Sequence, residues 1–248
     1  MENQEPLLRI VDLGHHYPDG DRKKTVFRGL RGEVRQGELV CLIGHSGCGK
    51  STLLKIIAGF LRPSEGHCLL DGRPITRPGP DRGVVFQEDA LFPWLTVDEN
   101  IALGLSKTAA VRKAVAEMLV QVGLSDYGNH LPRALSGGMK QRVALARVLI
   151  RAPRILLMDE PFGALDAQTR EEMQGLLARL TQERRQTVIF VTHDVQEAVT
   201  LADRVWLMDR TGGAMGRELA VDLPRPRDPS LPVFQDCCRK IHHWLRQQ

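Results

Sequence analysis

The chain has 248 residues, 42% of them hydrophobic, and a net charge of +4 from 34 basic and 30 acidic side chains. This is enough for a proper core in one or two domains, and the mild charge by itself gives no support for a nucleic-acid partner. No apolar run approaches the roughly 18–20 residues that span a bilayer, and the acidic, polar start Met1-Glu2-Asn3-Gln4-Glu5-Pro6 is unlike a secretory signal, so the protein is expected to stay in the cytosol.

The first strong signal is the apolar run Leu39–Ile43, read as a buried strand. It runs into Gly44-His45-Ser46-Gly47-Cys48-Gly49-Lys50-Ser51-Thr52, followed by the helix-compatible run Leu53–Phe60. Strand, glycine-rich loop and helix in that order make a phosphate-binding loop. Glycines let several backbone N–H groups point into one concavity, and the helix adds its positive end. Lys50 is expected to reach the β- and γ-phosphates and the Ser51 hydroxyl to hold Mg²⁺. Cys48, close to Lys50 and a helix N-terminus, is expected to have a lowered thiol pKa and to react readily, the alternative being an inert thiol packed under the loop.

Val84–Phe86 is the next short apolar run, ending at Gln87. From about Leu91 to Arg151 the signals are mainly helical. Ala110, Val111, Ala114, Val115, Met118, Leu119 and Val122 make one apolar face stopped by Gly123, and a second helix is expected from Ser136 to about Ile150. The apolar runs Ile155–Met158, Val188–Val191 and Val205–Met208 predict three more covered strands. Between the first two, Met173, Leu176, Leu177 and Leu180 follow helical spacing, with Asp166 as the cap and Arg184 and Arg185 at the end. Pro224, Pro226, Pro229 and Pro232 predict an extended connector, and Phe234, Cys237, Cys238, Ile241 and Leu245 the core-facing side of a last helix. The five cysteines, Cys41, Cys48, Cys68, Cys237 and Cys238, lack metal-ligand spacing; the adjacent pair could be redox-active, but packed helix residues are the simpler reading. The whole predicts an α/β fold with an inserted helical block.

Polar residues at strand ends carry the candidate chemistry. Asp159-Glu160 closes a buried strand; beside a phosphate loop, Asp159 would support Mg²⁺ through water and Glu160 would polarise the attacking water. His193 closes another strand within reach of a γ-phosphate, although a lone strand-end His is usually structural, and the same holds for Gln87. Ser136-Gly137-Gly138 offers a capped helix start with exposed backbone N–H groups, which is either an ordinary cap or a second phosphate-binding element.

Leu135-Ser136-Gly137-Gly138-Met139-Lys140-Gln141-Arg142, placed between Gln87 and Asp159-Glu160, resembles the signature motif of the nucleotide-binding subunits of ATP-binding cassette transporters. The resemblance runs from about Leu8 to Leu245, with Val148 standing where an alanine is more usual. It implies a P-loop NTPase core with a mainly parallel sheet (1–90 and 152–222), an N-terminal antiparallel β portion, a helical subdomain (91–151), and a connector with a terminal helix (223–248), with no further domain appended. It implies that Tyr17 stacks on adenine, that Gln87 senses Mg²⁺ and the attacking water, and that His193 holds the γ-phosphate. It also implies that Ser136, Gly137 and Gly138 bind the ATP of a second copy, and that Asp166 contacts that copy. ATP and Mg²⁺ are the implied ligands. The implied partners are a second, head-to-tail subunit, a separate membrane permease that holds the cassette at the cytoplasmic face of the membrane, and, indirectly, a solute-binding protein. Pro78–Gln87 and Leu91–Val97 resemble the importers of nitrate, sulfonate and taurine. A cassette ATPase acting on nucleic acid or chromosomes is the alternative, but it would need long coiled coils or two cassettes in one chain. A P-loop GTPase or kinase would leave Ser136-Gly137-Gly138 unexplained. Phe92, Pro93, Trp94 and Leu95 form an apolar cluster that either receives the permease or packs inside the helical block.

Overall fold

The computed structural model describes residues 5–20, 22–209 and 215–247; the start of the chain through Gln4 lies outside them. Strands β1 (Leu8–Asp19), β2 (Arg22–Val34), β4 (Glu65–Leu70) and β5 (Arg73–Pro74) form an antiparallel sheet in the order β2-β1-β4-β5. Strands β3 (Leu39–Ile43), β6 (Arg82–Val85), β7 (Ile155–Asp159), β8 (Thr187–Val191), β9 (Arg204–Met208) and β10 (Met215–Ala220) form a second sheet in the order β10-β9-β3-β8-β7-β6. Its neighbours are parallel except the antiparallel pair β10–β9. The helices are α1 (Lys50–Ala58), α2 (Val97–Ile101), α3 (Ala109–Gln121), α4 (Gly137–Leu149), α5 (Ala167–Arg184), α6 (Val195–Leu201) and α7 (Pro232–Arg246). Among the described residues, none of them is long and apolar enough to cross a membrane.

The parallel strands are apolar on both faces because each face has its own core. Leu39, Cys41 and Ile43 of β3, Leu156 and Met158 of β7, and Val188 and Phe190 of β8 pack with residues of α2 to α7. Their neighbours Val40, Leu42, Ile155, Leu157, Ile189 and Val191 pack with α1 and the antiparallel sheet. Two-residue alternation therefore divides each strand between two apolar layers, and the sequence shows an unbroken run.

Several boundaries differ from expectation. The run Val84–Phe86 stops pairing at Val85; Phe86 is 44% exposed and its ring stacks on Phe60 at 6.3 Å. Helix α1 ends at Ala58 and excludes Phe60, because Gly59 turns at φ 82° where a side chain would run into the Arg77 carbonyl. On α3 the apolar face is buried only from Val115 onwards, and Ala110 is exposed. Pro232 belongs to the first turn of α7 rather than to the connector. Phe234, Cys238 and Ile241 of α7 are buried, so that face docks on the core.

Two packing details are specific. Arg227, in the connector, donates to the carbonyls of Val199 and Ala202 at the end of α6, both at 2.6 Å, and to that of Val221 just after β10 at 2.9 Å. Burial lowers its pKa to about 10, so it remains charged at neutral pH. At the start of α4, a Cβ on Gly138 would overlap the Thr169 methyl of α5.

Replacing Arg227 with Met should leave several carbonyls unpaired, costing about 2–4 kcal/mol and lowering the melting temperature by about 5–10 °C. Calorimetry showing an unchanged melting point would contradict that role. Gly138→Ala should destabilise the fold by about 1–3 kcal/mol through overpacking. Adding Thr169→Ser, which deletes only the obstructing methyl, should restore the melting temperature; failure to rescue would mean that Gly138 is required for some reason other than packing.

Candidate functional site

Four parallel strands end side by side, and each delivers one polar loop. β3 leads to the glycine loop 44–49, β8 to His193, β7 to Asp159 and Glu160, and β6 to Gln87. The carboxyl edge of a parallel sheet is where α/β folds place ligands.

The glycine loop is shaped by close contacts. Any Cβ on Gly44 would lie 2.7 Å from both the Cys48 Sγ and the Met208 carbonyl oxygen. Gly49 sits at φ 103°, where a side chain would also meet Val26 and Phe27 of β2. Lys50 is buried, and its Nζ donates to the carbonyls of Gly44 at 2.8 Å and His45 at 3.0 Å. Cys48 is tucked beneath the loop. Burial pushes its thiol pKa up, against the weaker pull of Lys50, which reverses the expected reactive thiol.

A cleft of about 470 Å³ opens over this loop. Of the expected residues, Tyr17, Ser46, Gly47, Gly49, Lys50, Ser51, Thr52, Glu160 and His193 line it. Lys24 and Val26 of β2 also line it, and nothing in the residues around them signals either. Tyr17 is 40% exposed, meets His15 edge-on with ring centroids 4.7 Å apart, and its hydroxyl lies 3.5 Å from Thr52 Oγ1.

Ser51 Oγ donates to Asp159 Oδ1 at 3.0 Å. Burial pushes the Asp159 carboxyl pKa up, partly offset by that hydrogen bond. A hydroxyl beside a carboxylate is a hard oxygen pair that suits Mg²⁺, an ion that takes few protein ligands and completes its shell with phosphate and water. Glu160 takes the left-handed conformation, φ 45°, and its Oε2 lies 3.0 Å from His193 Nδ1. A Cβ built on Gly163 would stand 3.7 Å from Gln87 Nε2 and 4.0 Å from Glu160 Oε2, so those two side chains border one spot. The arrangement can hold a water molecule between a carboxylate and an amide.

Two supporting residues were not singled out in the sequence. Arg170 donates to the carbonyls of Phe162 at 3.4 Å and Leu165 at 2.8 Å, steadying the loop that bears Glu160 and Asp166. Glu197 is buried and accepts from Gln174 Nε2 at 3.2 Å, and burial pushes its carboxyl pKa up. It shares a small cavity of about 40 Å³ with Glu160 and His193.

Ser136 caps α4, accepting from the Met139 amide at 3.3 Å. Asp166 caps α5, accepting from Thr169 N at 3.0 Å and Thr169 Oγ1 at 2.7 Å, bonds that hold its carboxyl below the usual range. Ser136, Gly137 and Asp166 are exposed and Gly138 is buried. None of the four lines the cleft over Lys50.

The sequence pattern of the ABC transporter family matches residues 27–163. The aliphatic sulfonates import ATP-binding protein SsuB of Bacillus licheniformis is 48% identical over 223 residues, covering 90% of this chain and 88% of that protein. The bicarbonate transport ATP-binding protein CmpC of Synechococcus elongatus is 51% identical over 254 residues, covering 98% of this chain and 38% of that one. The ATP-binding cassette MJ0796, solved as a dimer in a post-hydrolysis state with ADP and Pi, aligns with a TM-score of 0.75 and 32% identity over 88% of this chain and 100% of its own. Likeness of this depth along nine-tenths of its length makes the chain a member of the ABC transporter family, one of the ATP-hydrolysing subunits of its importer branch.

Proposed function

We propose that two copies of this chain, arranged head to tail, bind two ATP molecules at their seam and energise uptake of a small anion through a separate membrane permease. The observation that carries the catalytic part is the pair of 3.0 Å contacts, Ser51–Asp159 and Glu160–His193, at adjacent strand ends beside Lys50. In this reading Gly44 to Thr52 cradle the phosphates, Lys50 turns from its loop carbonyls to the β- and γ-phosphates, and Tyr17 stacks on the base. Ser51, Asp159 and Gln87 would hold Mg²⁺, directly or through water. When bound, Mg²⁺ supplies a positive charge that offsets the phosphate oxygens. Glu160 orients and deprotonates the attacking water, and His193, held against Glu160, reaches for the γ-phosphate.

The head-to-tail arrangement is supported by where the second phosphate-binding element lies. Ser136, Gly137 and Asp166 are exposed at helix starts outside their own chain's cleft, free to close the cleft of another copy. MJ0796, similar over its whole length, is dimeric.

The solute class rests on the relatives. SsuB is named for sulfonates and CmpC for bicarbonate, so bicarbonate joins nitrate, sulfonate and taurine-like solutes as the candidates. Trp94 is 71% exposed and packs edge-on against Phe92 at 5.5 Å, which removes the reading of Trp94 as a core residue. One residue on, Leu95 borders an apolar groove of about 510 Å³ that also includes Leu103, Leu105 and Val111. Such a surface at the start of the helical block suits a cytoplasmic segment of the permease, which would hold this subunit at the membrane.

Glu160→Gln should keep ATP binding and lose about 10²–10⁴ in turnover. With ATP and Mg²⁺ the variant should elute as a dimer on size exclusion; wild-type turnover would remove Glu160 from the mechanism.

Trp94→Ala should leave basal ATPase and the melting point of the isolated subunit near wild type. It should weaken permease binding by about 2 kcal/mol, as loss of a central aromatic anchor does. Intact assembly and transport in reconstituted vesicles would place the permease elsewhere.

A further inference from the structure

Helix α7 ends against the glycine loop. His45, the second residue of that loop, is exposed, and its Nε2 lies 2.9 Å from the Leu245 carbonyl oxygen in the last turn of α7. A carbonyl only accepts, so this bond requires the hydrogen on Nε2. The last carbonyls of a helix lack partners within it, which suits one of them to a ring N–H. The backbone carbonyl of the same His45 accepts from Lys50 Nζ at 3.0 Å and from the Cys48 amide at 3.3 Å. One residue thus joins the C-terminal helix, the curl of the loop and the lysine.

The far partner is itself anchored. Phe234, Cys238 and Ile241 seat α7 in the core, and α7 packs on α6, which begins one residue after the cap Asp194 that follows His193. Its last turn is steadied by Arg217, which donates to Gln247 Oε1 at 2.7 Å and lies over the Trp244 ring at 5.6 Å.

We propose that His45 is a positioning residue for ATP binding and that α7 is the brace through which it acts: the His45–Leu245 bond holds the loop in the curl that receives the triphosphate. The proposal rests on the reading that residues 44–52 bind ATP. Glu160 and His193 hold one another without α7, so the brace governs capture of the nucleotide and not the hydrolytic step.

In the full-length protein, His45→Ala should raise KM for ATP about three- to tenfold, the range open to one hydrogen bond. Its kcat should stay within about twofold of wild type. His45→Gln, which keeps an N–H at similar reach, should recover most of the loss, and His45→Leu should not. Arg217→Ala, which loosens the same turn of α7, should raise KM less, and its effect should largely vanish in the His45→Ala background. By reciprocity, ATP should slow amide hydrogen exchange at residues 244–247 in wild type but not in His45→Ala. An unchanged KM in His45→Ala, equal losses in the Gln and Ala variants, or a fall in kcat at constant KM would each overturn the brace. Lys50→Ala with wild-type ATP affinity would instead overturn the underlying reading of the loop.

Discussion

Strands β3, β7 and β8 are covered on both faces by apolar layers. A charge placed mid-strand would be stranded in one apolar layer or the other. Polar groups can enter only where the strands stop, and adjacent parallel strands stop at one edge. The gathering of Lys50, Asp159, Glu160 and His193 there follows from that burial. So does the raised pKa of the Asp159 carboxyl, which stands one residue beyond the buried Met158.

Close packing around the loops then fixes where these groups point. Gly44 is pressed against Met208 of β9, and Gly49 against Val26 and Phe27 of β2, so the glycine loop is held by both sheets. The second loop has a different support: Glu160 accepts a left-handed conformation, and Arg170 draws the carbonyls of Phe162 and Leu165 back towards α5. The strain is local, and the guanidinium that offsets it comes from the helix that Asp166 begins.

The parallel strands were legible because burial on both faces leaves unbroken apolar runs. The helix caps Ser136 and Asp166 were legible because capping is a local matter of side chain and backbone. What escaped was tertiary. β10 carries Arg217 and Glu218 and pairs antiparallel at the sheet edge, so it gives no apolar run. Lys24 and Val26 reach the cleft only because β2 folds back along β1, and nothing in their own neighbourhood announces it. Of the two readings of Cys48 the structure favours the packed thiol: proximity in sequence to Lys50 suggests a stabilised thiolate, but the chain tucks the sulfur under the loop and desolvation outweighs the charge. In the sequence Gly138 offers only a bare backbone N–H; Thr169 supplies a steric reason that only packing reveals.

The β1–β2 hairpin has one more consequence. Tyr17 stands opposite Lys24 in its register, and three residues on from Lys24, Phe27 abuts Gly49 in the phosphate loop. The ring proposed to carry the base and the wall of the loop proposed to cradle the phosphates are therefore parts of one hairpin. The face of a tyrosine ring is indifferent to which base lies on it. A cleft in which Tyr17 carries the base would work as a ruler, gauging the span from base to terminal phosphate with little regard for the letter of the nucleotide.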